Sequence, residues 1–138
     1  RGTTIVNNKI VNIGRDQGVY GANAIYLDDQ ASGILVKNNI IISSGYNKNI
    51  TNNCLCEDEF GNTLWSTFHS EFISIMECSK ENLIGATMYI TLSPCKECAK
   101  LILQSGIKRV VYSKQHSCQE GINFLKQQGV ECNFLNIE

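Results

Sequence analysis

The sequence predicts an α/β domain in which a sheet packs between helices. Three observations carry this. Short apolar runs alternate with stretches of helical spacing through the second half of the chain, and glycine or proline punctuates those stretches where helices would start and stop. A length of 138 residues suits one hydrophobic core rather than two. Strands that alternate with helices need crossover connections, so at least the later strands should run parallel.

Taken in order, Arg1 to Gln30 is the least patterned part, with Gly2, Gly14, Gly18 and Gly21 among several asparagines. Ile5 to Val11 fits a short hairpin around Asn7-Asn8. Val19 to Leu27 has loosely helical spacing, weakened by Gly18 and Gly21 at about 1 kcal/mol each relative to Ala. Ile34-Leu35-Val36, a turn at Asn38-Asn39 and Ile40-Ile41-Ile42 read as a hairpin of buried strands. Gly2 to Gly14 faintly echoes Ser32 to Gly45, too weakly to establish a repeat. Asn47 to Gly61 is polar and reads as a long surface loop. Phe72, Ile75 and Met76 space a helix over about 69–80, and Ala86 to Leu92 makes a strand. Ser93 as cap and Pro94 at the first position open a helix that runs to Ser105, with Gly106 in the left-handed position beyond its end. Lys108 to Tyr112 is a strand, Gln119 to Gln128 a helix ended by Gly129, and Glu131 to Leu135 a last strand.

Composition narrows the function. Twelve basic against thirteen acidic residues give a net charge of -1, whereas a protein that coats nucleic acid usually carries a basic excess. A small substrate is favoured and long nucleic acid disfavoured. No apolar run approaches the roughly 18 residues of a membrane span, and no basic segment leads into an apolar stretch, so the expected location is the cytoplasm. The chain begins at Arg1 rather than Met, as a processed chain or part of a longer one would. Seven cysteines, an odd number without a secretory leader, point to thiols or metal ligands rather than a disulfide framework.

Two motifs carry chemistry, His69-Ser70-Glu71 and Pro94-Cys95-Lys96-Glu97-Cys98, each at a predicted helix start. Cysteines three apart in a first turn put both sulfurs on one side, where the helix dipole favours thiolate. With one imidazole they make three zinc ligands and leave a fourth tetrahedral position for water, the pattern of a catalytic site. Two thiolates blunt the Lewis acidity of the ion, so a carboxylate beside the water is needed, and Glu71 is placed for it. In a helix interior positions i and i+2 diverge, so His69 has to stand at the helix entrance to share a site with Glu71. Taken singly, Cys-x-x-Cys is as readily structural or redox-active, and His-x-Glu is common by chance. Together they match the zinc deaminase pattern, in which the glutamate is not a ligand.

From Ser32 to Tyr112, and most closely over Gly85 to Tyr112 (GATMYITLSPCKECAKLILQSGIKRVVY), the sequence resembles the cytidine deaminase superfamily and within it the deoxycytidylate deaminases. The resemblance implies one domain over 1–138, with 1–30 divergent, folded as a three-layer α/β/α sandwich around a mixed five-stranded sheet. It implies Zn²⁺ held by His69, Cys95 and Cys98, with Glu71 as the catalytic proton shuttle. Asn47 resembles the asparagine that contacts the nucleotide sugar, and free backbone N–H groups at Ser70 and Cys95 are expected to meet the base. The middle residue of His69-Ser70-Glu71 is usually alanine in relatives. The implied reaction is hydrolytic deamination of dCMP to dUMP and ammonia by a homo-oligomer.

Tyr112 and His116 are candidates for the pocket wall, since ligands gather at strand carboxyl ends, although sheet packing suits Tyr112 and a solvated loop suits His116 equally well. Trp65 and Phe68 suit stacking on a base or, more simply, local packing. Lys37, Lys108 and Arg109 suit phosphate binding or, more simply, solubility. Cys54 and Cys56, with Cys78, Cys118 or His116, fit unpaired thiols better than a second zinc, because closed sites more often space their cysteines by two to four residues. Two alternatives stay open. One is a deaminase of the same fold acting on a base within tRNA or single-stranded DNA, a toxin domain included. The other is a non-catalytic zinc-stabilised module, which would have no use for Glu71. A riboflavin-pathway deaminase is disfavoured by the short Lys96-Glu97 spacing between the cysteines.

Overall fold

A computed structural model describes residues 4–6, 9–13, 35–37, 40–51 and 55–136, with side chains from residue 42 onward. In chain order the strands are β1 (Thr4–Val6), β2 (Lys9–Ile13), β3 (Leu35–Lys37), β4 (Ile40–Gly45), β5 (Lys48–Asn49), β6 (Thr67–Phe68), β7 (Thr87–Leu92), β8 (Arg109–Lys114) and β9 (Glu131–Phe134). The helices are α1 (Ser70–Met76), α2 (Lys80–Leu83), α3 (Lys96–Ser105) and α4 (Glu120–Gln127).

Five strands form one sheet in the order β4-β2-β7-β8-β9, and all four pairings within it are parallel. This corrects the strand directions expected from sequence. Among the described residues neither hairpin forms: β1 pairs with β3 and β2 with β4, both parallel, so the five described strands make a parallel rather than a mixed sheet. A strand buried on both faces reads as a continuous apolar run whatever its partner, so Ile34 to Val36 and Ile40 to Ile42 announce strands without saying what they pair with. The echo between Gly2–Gly14 and Ser32–Gly45 has a structural counterpart, since the similar runs lie side by side, Ile5 opposite Val36 and Ile10 opposite Ile41. The expected turns at Asn7-Asn8 and Asn38-Asn39 and the helical spacing over Val19 to Leu27 lie outside the described residues.

The core forms where β7 and β8 meet α3 and α4. Met88, Ile90, Val110 and Tyr112 pack with Ala99, Ile102, Ile122 and Leu125 in one buried cluster. Burying each of the larger of these side chains stabilises by about 1.5–3 kcal/mol. Thr87 and Val111, at alternate strand positions, are buried too. The centre of the sheet is thus covered on both faces, as parallel sheets usually are. The helix expected over 69–80 stops at Met76, and Ser79, extended at φ -68° and ψ 145°, starts the four-residue α2.

Asn47 to Gly61, read as a loop, is not structureless: its described residues and those up to Phe68 fold back on each other as an irregular antiparallel ladder. β5 pairs with β6, Ile50 N–H donates to the Ser66 carbonyl, Leu64 N–H donates to the Cys56 carbonyl, and Glu57 bridges Thr63. The ladder delivers the chain to His69.

Candidate metal centre

Two helix starts face each other at the carboxyl end of β7. At the first, α3 begins one residue after Cys95, not at Pro94. Cys95 is extended (φ -69°, ψ 171°), and its sulfur accepts the Cys98 N–H at 3.5 Å. The cap is therefore Cys95 rather than the expected Ser93, whose hydroxyl instead accepts the His116 N–H at 2.8 Å. Gly106 ends the helix at φ 85°, in the left-handed conformation expected of it.

At the second, His69 stands outside α1 in an extended conformation, φ -68° and ψ 153°. That conformation resolves the i, i+2 problem, because His69 is not yet helical and its ring swings to the side that Glu71 occupies from the first turn. Both residues line one pocket. Nothing on the His69 side chain caps the helix. Asn47 does that work from a distance, its Oδ1 accepting the Ser70 N–H at 3.0 Å. The end of β4 sits hard against α1, where Ser43 Oγ donates to the Ser74 carbonyl at 2.6 Å.

The His69 ring and the two cysteines converge. His69 Nδ1 lies 3.5 Å from Cys95 Sγ and 3.4 Å from Cys98 Sγ, and one donor atom from each of the three residues falls within 4.8 Å of the others. A nitrogen and a sulfur on one tetrahedral zinc, with Zn–N of about 2.0–2.1 Å and Zn–S of about 2.3 Å, stand about 3.5–3.6 Å apart. The observed spacings are close to those edges. Donor types and spacing both fit zinc, and among the described residues no other group of side chains comes together to hold a metal. Cys56, Cys78 and Cys118 are free thiols, and Cys54 lies outside the described residues.

The three groups are coupled through shared protons. The Cys98 thiol, hydrogen-bonded to the Cys95 sulfur, pulls Cys95 down to about 3, so Cys95 is thiolate at neutral pH. The same bond and burial push Cys98 upward. His69 is raised chiefly by its hydrogen bond to Cys95, against burial. Glu71, 8% exposed, is raised by burial above the ordinary carboxylate range, while Ser70 Oγ donates to its Oε2 at 3.2 Å.

A pocket of about 260 Å³ opens on His69, Glu71 and Cys95. Of the residues expected to bind substrate, Asn47 and Ser70 line it. The Ser70 N–H, however, is not a free donor, since Asn47 holds it. Tyr112 does not line the pocket. It is 3% exposed, belongs to the core and packs on Phe134 with ring centroids 5.7 Å apart. The rule that ligands gather at strand ends selects Thr91, Leu92 and Ser93 at the end of β7 and His116 beyond β8, whereas Tyr112 lies within β8. Glu57 and Thr63 line the pocket from the 47–68 ladder, and no local motif marks them. Phe68 packs on Phe72 with centroids 4.3 Å apart, and Trp65 is 91% exposed.

Comparison with known proteins bears on these groups. Residues 26–114 match the family model described as the cytidine and deoxycytidylate deaminase zinc-binding region. The deoxycytidylate deaminase of Mycobacterium phage D29 is 47% identical over 55 residues, 40% of this chain and 43% of that protein. ComE operon protein 2 of Bacillus subtilis is 35% identical over 88 residues, 59% of this chain and 47% of that protein. The chain thus spans less than half the length of these relatives. The crystal structure of the cyanophage S-TIM5 dCMP deaminase in complex with dCMP and dUMP aligns with a TM-score of 0.64 at 34% identity, covering 72% of this chain and 76% of that one.

Proposed function

Because the chain belongs to the cytidine and deoxycytidylate deaminase family, we propose that it hydrolyses the exocyclic amino group of cytosine in dCMP, releasing dUMP and ammonia. The observation that carries this is the convergence of His69, Cys95 and Cys98 beside a pocket that His69 and Cys95 line together with the buried Glu71. His69, Cys95 and Cys98 would hold zinc, which, when bound, supplies the Lewis acidity that makes a water nucleophilic near neutral pH. Glu71 accepts one proton of the attacking water and delivers it to ring N3, then takes the second from the hydroxyl formed at C4 and delivers it to the amino group as the C4–N bond breaks, which leaves the uracil carbonyl and ammonia. Burial serves the first half of this task, because a carboxyl raised above its usual range is a stronger base toward the water. Ser70 Oγ holds one carboxylate oxygen and so orients the other. Asn47, at the pocket wall, is the residue we assign to the sugar.

The test is Glu71→Gln. It should keep its zinc, measured by metal analysis, and lose on the order of 10²–10⁴-fold in turnover. Unchanged turnover would exclude the assigned role, and the non-catalytic zinc module would then be the better reading.

The chain is also proposed to assemble with copies of itself. Leu55, Phe60 and Trp65 on the 47–68 ladder and Met76 and Ile84 beyond it leave large apolar surface exposed. Aromatic exposure at Phe60 and Trp65 also suits a second reading, action on a base within a single strand. Assaying dCMP, deoxycytidine and a cytosine-containing oligonucleotide side by side separates the two, since deamination of the oligonucleotide alone favours the second.

A further inference from the structure

The pocket contains one ionisable ring that the chemistry at Glu71 leaves idle. His116 follows β8 on the way to α4, and both ends of the residue are fixed. Its backbone N–H donates to the hydroxyl of the buried Ser93 at 2.8 Å, and its Nδ1 accepts the Cys118 N–H at 3.0 Å. An imidazole whose Nδ1 is an acceptor keeps its proton on Nε2, so the ring presents one remaining N–H donor. No lysine or arginine is among the described residues lining the pocket, and of its two imidazoles His69 belongs to the metal group, so His116 is the ring whose N–H donor remains. The acidic groups of the wall, Glu57 and Glu71, repel an anion.

We infer that His116 receives the anionic group of the substrate, its Nε2–H donating to an oxygen of the 5′-phosphate. This rests on the nucleotide reading above and deepens it. The bond is made by the ring as the Cys118 N–H holds it, with its proton on Nε2. Its consequence is discrimination. A nucleoside lacks the acceptor, and a hydrogen bond to a charged group accounts for about a 10- to 100-fold preference for the nucleotide.

The experiment compares kcat/KM for dCMP with kcat/KM for deoxycytidine in the wild-type enzyme, in His116→Asn and in His116→Gln. Asparagine can still accept the Cys118 N–H and keep the loop, yet it lacks the Nε2–H donor. Glutamine places an amide donor near the Nε2 position. Expected is a fall of about 10- to 100-fold in the dCMP-to-deoxycytidine ratio for His116→Asn, carried by KM, with most of it restored by His116→Gln. A ratio left unchanged by His116→Asn while the wild type deaminates dCMP overturns the inference alone. A wild type that deaminates neither compound overturns the nucleotide reading, and the inference falls with it.

Discussion

The two helix starts that build the metal centre solve one problem in different ways. At α3 the solution is local. Cys95 is both a member of the group that could hold the metal and the cap, its sulfur taking the Cys98 N–H three residues on, and the ten-residue helix behind it ends in a left-handed Gly106. At α1 the solution is remote. The seven-residue helix has no cap from His69, and the donor at Ser70 is held by Asn47, 23 positions earlier in the chain. A start that caps itself keeps its form when its surroundings loosen. A start held from outside inherits the stability of whatever holds it, here the end of β4 and the ladder over 47–68.

Each start is also pressed against a glycine, and this gives the largest test of the difference. A Cβ at Gly45 would lie 2.3 Å from the Ser70 carbonyl oxygen and 2.8 Å from the Ser74 nitrogen, so the backbone of α1 would have to move. A Cβ at Gly121, in the first turn of α4, would lie 2.2 Å from the Pro94 carbonyl oxygen and 2.9 Å from that of Cys95. Overpacking of this kind costs about 1–3 kcal/mol. Alanine in α4 regains up to about 1 kcal/mol of helix propensity, and the start of α3 has its own cap. Gly45→Ala should therefore weaken zinc binding and lower the melting temperature more than Gly121→Ala, as read by chelator competition and thermal unfolding. An equal or reversed order would mean that α1 is as self-sufficient as α3.

A smaller effect isolates the cap. Asn47→Ala removes the acceptor of the Ser70 N–H at a cost of about 0.5–1.5 kcal/mol. Amide exchange at Ser70 should accelerate by the corresponding roughly 2- to 12-fold, while exchange at Cys98, whose acceptor is the Cys95 sulfur, should stay as it is. Asn47→Asp, which keeps an acceptor oxygen, should restore protection. Faster exchange at both amides would show that the starts are coupled through the metal centre.

The same division explains what could be read from the sequence. The start of α3 is written in a few adjacent residues, and reading Ser93 as the cap misplaced it by two positions because Pro94 also suits a first turn. That His69, Cys95 and Cys98 come together, with Glu71 in the adjoining pocket, was legible because residue types that suit one site stand at two successive helix starts. The parallel pairings of β1 with β3 and β2 with β4 were not, since buried apolar strands carry no mark of direction. Val110-Val111-Tyr112 hides its facing for a related reason. With both faces of β8 covered there is no polar alternation to show that Tyr112 points into the core. Glu57 and Thr63 reach the pocket through bonds such as Ile50 to Ser66, between segments whose polar composition reads as loop.

The smallest expected effect lies at the far end of the ladder that supports α1. Asp58 ties its turn, accepting from the Phe60 N–H at 2.9 Å and from the Asn62 N–H at 2.8 Å on one oxygen, and from the Asn62 side-chain amide at 3.0 Å on the other. The Asn62 side chain, ahead of these backbone bonds, holds the carboxyl below its ordinary value. A carboxyl whose proton affinity is lowered by folding lends stability above the unfolded-chain value of about 3.9, and loses it as pH falls through the lower folded value. The group is fully exposed, so solvent screens the gain and global unfolding should barely register it. The turn itself should. Amide chemical shifts of Phe60 and Asn62 should titrate with a midpoint below about 3.9 and stop titrating in Asp58→Ala. If that substitution also speeds exchange at Ser70 while sparing Cys98, the remote start feels its support fail from eleven positions beyond Asn47. If Ser70 is untouched, Asn47 and the end of β4 suffice to hold α1, and the ladder serves only to bring Glu57 and Thr63 to the pocket.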